Sequence, residues 1–314
     1  MTTVLIIILV VIAVVALALL GAGAYFCRVS LSRNYKKGML YKTRNRIYDT
    51  ADTQWFNGHK KETAITSSRN LNQVGYVFEQ KGDNPYWMIV IHGYTSQALN
   101  MSNYVKEFYN MGYSVLAPEL MGMGKSEGEF AAMAGYDADD IMLWIKWILK
   151  KRPDAKIGLF GVSMGGATVM NTLGKGLPEN VEFFIEDSGY VNLNDEFKYQ
   201  LKAMYNLNFP PLIKASSLIC KMKYGFFFGD VKMEESLRKN KLPGLVLHGA
   251  ADDFVPTEFG KTAYELLNSP KEIKFFEGSK HIRAEHEHRK EYWETIEKFL
   301  LKYSSKFQLE ENHS

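Results

Sequence analysis

The chain has 314 residues, 46% hydrophobic and 23% charged, which is ordinary globular composition with room for one large α/β domain or two small ones. Its formal net charge is only +3, and no Lys/Arg stripe interleaves with aromatic residues, so nothing calls for a nucleic-acid partner. Two cysteines, Cys27 and Cys220, give neither a disulfide framework nor zinc-ligand spacing and read as two reduced or buried thiols.

Val4 to Phe26 carries no charged residue and would span about 34 Å as a helix, enough for a bilayer core. A cleaved signal peptide fits poorly. Met1-Thr2-Thr3 supplies no basic residue, the apolar run exceeds an h-region, and Tyr25-Phe26 before Cys27 is a poor lipoprotein cleavage site. Residues 1–27 are therefore expected to be an uncleaved single-pass membrane anchor that meets the lipid bilayer through residues 4–26. Arg28, Arg33, Lys36, Lys37, Lys42, Arg44 and Arg46 all precede the first acid, Asp49. The positive-inside rule then places the C-terminal domain in the cytoplasm. The same residues, within a basic linker over 28–57, could equally lie on anionic headgroups or be solvated.

The domain is expected over 58–305. Glu62–Ser67 and Val74–Gln80 read as strands around a polar turn. Tyr86–Ile91 is an uninterrupted apolar run, the pattern of a strand buried on both faces of a parallel sheet. Helices over Met101–Tyr109, Asp137–Lys150, Gly165–Leu173, Glu258–Leu267 and Lys290–Leu301 then alternate with strands over Tyr113–Ala117, Lys156–Phe160, Val181–Ile185, Gly244–His248 and Glu272–Phe276. That alternation predicts a mostly parallel sheet covered on both faces, with chemistry at the carboxyl ends of its strands. The segment at about 190–236 is too long for a simple connection and rich in apolar residues, and it reads as an inserted helical cap. Residues 306–314 form a C-terminal tail.

Gly161-Val162-Ser163-Met164-Gly165 lies between an expected strand and an expected helix. In that context it is a nucleophile elbow: glycines two residues either side of Ser163 permit the tight turn, and the following helix aims its amides at a developing oxyanion. A serine needs a general base, and the base needs an orienting carboxylate. Both are expected downstream, at the carboxyl end of the sheet. His248-Gly249-Ala250-Ala251-Asp252-Asp253 supplies the acid and His281 the base. His286 and His288 are rivals in a charged stretch, and they complete no metal-ligand set with His281, so neither metal nor other cofactor is called for. The amides of Tyr94 and Met164 would form the oxyanion hole, Gly93 would let the Tyr94 amide turn inward, and His92 and His248 would brace their loops.

These residues resemble the α/β-hydrolase superfamily over roughly Glu62–Leu301. The resemblance is greatest to the bacterial branch of serine aminopeptidase-like hydrolases and small-ester carboxylesterases. His92-Gly93-Tyr94 matches its oxyanion turn, and Glu119 with Gly122, Gly124, Ser126 and Gly128 matches its glycine-spaced loop. His248, Gly249, Asp252, Val255 and Pro256 match its acid loop, which implies Asp252 as the catalytic acid beside its neighbour Asp253. The loop from Glu119 lacks the usual Asp-x-Arg. The resemblance implies a serine hydrolase acting on a small-molecule carboxylic ester, lipophilic acyl or aryl esters included. An amide or peptide hydrolase, an acyltransferase and a retired, non-catalytic membrane scaffold are the alternatives.

Overall fold

A computed structural model describes residues 2–33 and 50–311. Its centre is one eight-stranded sheet in the order β1-β2-β4-β3-β5-β6-β7-β8. These strands are β1 (Lys61–Thr66), β2 (Asn72–Phe78), β3 (Tyr86–Ile91), β4 (Ser114–Pro118), β5 (Lys156–Val162), β6 (Val181–Asp187), β7 (Gly244–Gly249) and β8 (Lys271–Phe276). The first two pair antiparallel, and every pairing among β3 to β8 is parallel. This is the α/β-hydrolase fold. The carboxyl ends of β3, β5, β7 and β8 consequently share one edge, where the loops carrying the expected chemistry meet.

The helices are α1 (Thr2–Leu31), α2 (Thr50–His59), α3 (Ser102–Asn110), α4 (Gly135–Lys151), α5 (Met164–Thr172), α6 (Leu193–Tyr205), α7 (Pro210–Tyr224), α8 (Glu234–Lys239), α9 (Thr257–Leu266), α10 (Ala284–Glu287), α11 (Arg289–Tyr303) and α12 (Ser305–Glu311). They cover both faces of the sheet, as the near-continuous apolar strands demand. On one face Trp144 and Ile148 of α4 and Ala167 and Met170 of α5 pack on Ile89, Ile157 and Leu159. On the other, Val105 and Phe108 of α3 and Ile296 and Phe299 of α11 pack on Met88, Phe160 and Phe183. Each such large apolar side chain contributes ~1.5–3 kcal/mol by leaving water. Gly158 lies where a Cβ would strike the Phe183 ring, which explains a glycine in the middle of a central strand.

The structure departs from the sequence reading at the edges of elements. β5 and β6 run on to Val162 and Asp187 because backbone pairing (Gly161 with Glu186, Val162 with Asp187) continues past the apolar residues. Residues 50–57, assigned to the linker, belong to a helix, Thr50–His59, that buries Phe56 against Tyr76 and Phe78. The expected tail begins with α12. Of the basic flank, Lys36, Lys37, Lys42, Arg44 and Arg46 lie outside the described residues, as do residues 312–314.

The largest departure concerns α1. Residues 3–18 are exposed all round, but from Leu19 one face turns inward, with Gly23, Cys27 and Leu31 buried. That face packs along α7: a Cβ on Gly23 would come within 2.8 Å of the Ala215 carbonyl carbon. Cys27 and Cys220, both reduced and buried, meet there through their thiols. Beyond the helix the chain is tied to the glycine-spaced loop. Ala131 donates to the Leu31 carbonyl at 2.9 Å, and Arg33 donates to the carbonyls of Ser126, Gly124 and Gly128 at 3.0, 3.2 and 3.3 Å.

Candidate active site

The turn from β5 into α5 holds Ser163 at φ 58°, ψ −121°, a positive φ that costs a non-glycine residue ~1–3 kcal/mol and persists only where the surroundings over-determine it. They do here. The Ser163 amide donates to the Asp187 carbonyl at 2.7 Å. A Cβ on Gly161 would run into the Gly165 backbone, and one on Gly165 into the Ile91 carbonyl, so the turn closes only with glycine at both places. Ser163 is 5% exposed and stands at the N-terminus of α5, where unsatisfied amides and the helix dipole favour negative charge.

His281, in the loop after β8, reaches both partners. Its Nε2 lies 2.9 Å from Ser163 Oγ and its Nδ1 2.8 Å from Asp252 Oδ2. A carboxylate accepts only, so Nδ1 carries the ring proton and Nε2 is left to accept from the serine. Asp252 Oδ1 accepts from the amides of Phe254 and Val255, each at 2.9 Å, and His248 Nε2 lies 3.3 Å from Oδ2. Burial pushes this carboxyl up, but hydrogen bonds from His248 and His281, with the charge of His281 beside it, hold it well below the usual range. It is Asp252, not Asp253, that touches the imidazole. Asp253 points into solvent and pairs with Lys280 at 3.3 Å. The Phe254 ring lies against His281, 4.9 Å between centroids. Of the rival histidines, His286 is exposed at the cavity edge and His288 bonds the Glu277 carbonyl at 3.1 Å, so neither meets Ser163.

The loop after β3 passes close over the serine, and a Cβ on Gly93 would sit 3.2 Å from Ser163 Cβ. His92 is fully buried. Its Nδ1 donates to the Gly93 carbonyl at 2.8 Å and its Nε2 accepts from the Leu120 amide at 3.0 Å, which fixes a neutral ring, and burial lowers its pKa to about 4. His92 therefore braces the loop that carries Tyr94. His248 does the same for the acid loop by donating to the Val255 carbonyl at 2.9 Å. Glu119, where Asp-x-Arg is missing, is buried and accepts from the Ala98 amide at 3.0 Å, tying the same region without an ion pair to arginine.

Ser163 and His281 open into a cavity of about 950 Å³. One group of lining residues is apolar and comes from the 190–236 insertion and from α1, including Phe26, Leu201, Met204, Tyr205 and Leu212. Another is polar and includes Asn103, Lys106, Arg283 and Arg289. Sequence reasoning missed three features of the site. Phe26, Val29 and Ser30 of α1 line the cavity, although an apolar run gives no sign of which face binds protein. The Tyr94 hydroxyl donates to the Ser30 carbonyl at 2.5 Å. Glu196 of α6 faces the cavity nearly buried, and one of its carboxyl oxygens has no hydrogen-bond partner among the described residues.

A mostly parallel sheet in this order, with a serine at a strained strand–helix turn and a histidine and an aspartate in series behind it, gives the chain the α/β-hydrolase fold. Within it, residues 84–208 match the family described as serine aminopeptidase, S33. The chain is 27% identical over 220 residues to the uncharacterised protein YqkD of Bacillus subtilis, covering 69% of this chain and 72% of that one. It is 27% identical over 203 residues to the monoglyceride lipase of Mus musculus, covering 54% and 66%. The esterase Pf2001 of Pyrococcus furiosus superposes with a TM-score of 0.65 at 22% identity, over 82% of this chain and 96% of that one.

Proposed function

We propose that this protein is a membrane-anchored serine hydrolase that cleaves carboxylic esters through an acyl-enzyme on Ser163. The observation that carries the reading is the bridging imidazole, with His281 within 2.9 Å of Ser163 Oγ and 2.8 Å of Asp252. Ser163 Oγ attacks the ester carbonyl carbon as its proton passes to His281 Nε2, and Asp252 stabilises the imidazolium and keeps it aimed. The amides of Tyr94 and Met164 receive the oxyanion, and loss of one such donor costs ~3 kcal/mol of transition-state stabilisation. Collapse breaks the C–O bond, and the leaving alcohol takes the proton from Nε2. Water, activated by the same imidazole, then releases the acid and restores the serine. The lipase and esterase relatives and the apolar group of cavity residues favour lipophilic acyl esters.

Retention of α1 as an anchor is supported by its length and by the burial of Gly23, Cys27 and Leu31 in the hydrolase domain, contacts that cleavage would abolish. The basic flank favours a cytoplasmic domain. The test is fluorophosphonate labelling of the full-length protein in detergent, comparing wild type with Ser163→Ala. Labelling lost in the variant supports an activated serine at this position, while equal labelling of both moves the nucleophile elsewhere. An ester and amide panel on the labelled wild type decides the bond cleaved.

A further inference from the structure

We propose that the tip of the cap, residues 204–209, is embedded in the membrane beside α1, and that an amphiphilic ester with one long acyl chain enters the cavity sideways from the lipid leaflet. The second half of this inference rests on the serine-esterase reading above.

The first argument is one of length. Residues 3–18 of α1 are exposed all round and cover about 24 Å at the helical rise. A hydrocarbon core is about 30 Å thick. About four more residues must lie within it, yet from Leu19 onward one face of α1 already packs on the cap. Contact between helix and domain therefore begins inside the hydrocarbon boundary.

The second argument fixes which part of the cap lies there. Gly23 meets Ala215 and Ser216, and Cys27 meets Cys220, so α1 and α7 run in the same direction. The start of α7 and the turn before it consequently point toward the membrane half of α1. Phe209, six positions before Ala215, sits about 9 Å further in that direction. Tyr205, at the end of α6, packs edge-on against Phe26 at 5.0 Å.

The tip has the composition such a position requires. Met204, Tyr205, Leu207 and Phe209 are 62%, 42%, 42% and 46% exposed. No charged residue occurs between Lys202 and Lys214, and those two exposed lysines flank the tip where their amines can reach headgroups. Apolar side chains clustered and continuous with a membrane-spanning surface are accounted for by lipid contact. Met204, Tyr205 and Phe26 also line the cavity that holds Ser163, so its mouth opens where the tip meets the leaflet.

The test uses the full-length protein in phosphatidylcholine vesicles, with an environment-sensitive fluorophore on Leu207→Cys or on Met222→Cys. The latter lies toward the other end of α7 and is 75% exposed, and both native cysteines are buried. A label at 207 that is quenched by spin-labelled acyl chains and shielded from aqueous iodide, with the reverse at 222, supports the proposal. Equal iodide access at both positions overturns it. In the kinetic arm, Leu207→Asp with Phe209→Asp lowers turnover of a vesicle-embedded long-chain monoacyl ester by about tenfold or more, from the cost of charge in lipid, while a water-soluble short-chain ester is unaffected. Equal losses on both substrates overturn lateral entry. Wild type inactive on both esters sinks the esterase reading, and the fluorescence arm still decides where the tip lies.

Discussion

The hydroxyl of Tyr94 donates to the carbonyl of Ser30 across 2.5 Å, joining the loop that overlies Ser163 to the last turn of the apolar helix. The helix is thereby tied by a hydrogen bond to the loop beside Ser163. Tyr94→Phe keeps the ring and the proposed oxyanion amide but removes the tie. A hydrogen bond of this type contributes ~1 kcal/mol, so kcat on a soluble ester is expected to fall about fivefold with little change in KM. A variant with unchanged kcat and a lowered Tm would assign the tie to stability alone.

The neighbouring aspartates separate cleanly. Asp252→Asn replaces an acceptor with a group that can donate to His281 Nδ1 and favours the wrong tautomer, which is expected to lower kcat by about 10⁴. Asp253→Asn breaks only an exposed pair with Lys280, worth ~0–1 kcal/mol, and should leave steady-state kinetics within twofold of wild type. A large effect at 253 and none at 252 would reverse the assignment.

Buried acids make the fold sensitive to alkali. Burial raises Glu119 and Asp137 to about 7, and Glu186 and Glu196 to about 8. Each keeps its proton in the folded protein at a pH where the unfolded chain releases it. For Glu196, with an ordinary value of 4.5, stability is fully present below about pH 4.5, declines as pH rises toward about 8 and levels off above it. Mid-window the slope is about 1.4 kcal/mol per pH unit for one such group. Thermal unfolding in detergent should show a lower Tm at about pH 8 than at about pH 5.5, and Glu196→Gln should shrink that difference. An unchanged difference would mean that Glu196 titrates normally.

Packing of α1 on α7 depends on a missing side chain. Gly23→Ala places a methyl within 3 Å of the Ala215 and Ser216 backbone, so the helices must separate. Overpacking of this kind costs ~1–3 kcal/mol, read as a lower Tm, whereas Gly21→Ala, which meets nothing within 4 Å, should not destabilise. Equal Tm for the two variants would show that α1 does not dock as described.

The placing of Ser163, Asp252 and His281 at one edge of the sheet was legible because it is written in local signals. A glycine-flanked serine after an apolar strand, and acid and histidine after later strands, specify positions at one edge of a parallel sheet. α1 was legible as an apolar helix long enough to span a membrane but not as a packing element. A segment apolar on every side hides the three-to-four-residue period at which Leu19, Gly23, Cys27 and Leu31 turn inward, and small residues at 23 and 27 were its only trace. Arg33 was read as membrane topology, yet its guanidinium satisfies three loop carbonyls. Thr50–His59 escaped because a short helix with little amphipathic pattern is fixed by tertiary contacts of Trp55 and Phe56.

Phe26, Val29 and Ser30 line the cavity, and Cys27 and Leu31 fill the hydrophobic core beside it. Trimming the first 33 residues to obtain a soluble protein would therefore remove part of the cavity wall along with the apolar helix. The shortened protein would expose the flank of α7 around Leu212, Ser216 and Cys220 to water and take the Ser30 carbonyl away from the Tyr94 hydroxyl. Production of this enzyme is best begun with the entire chain in detergent or lipid, because activity lost on truncation would report a broken wall, not a missing address label.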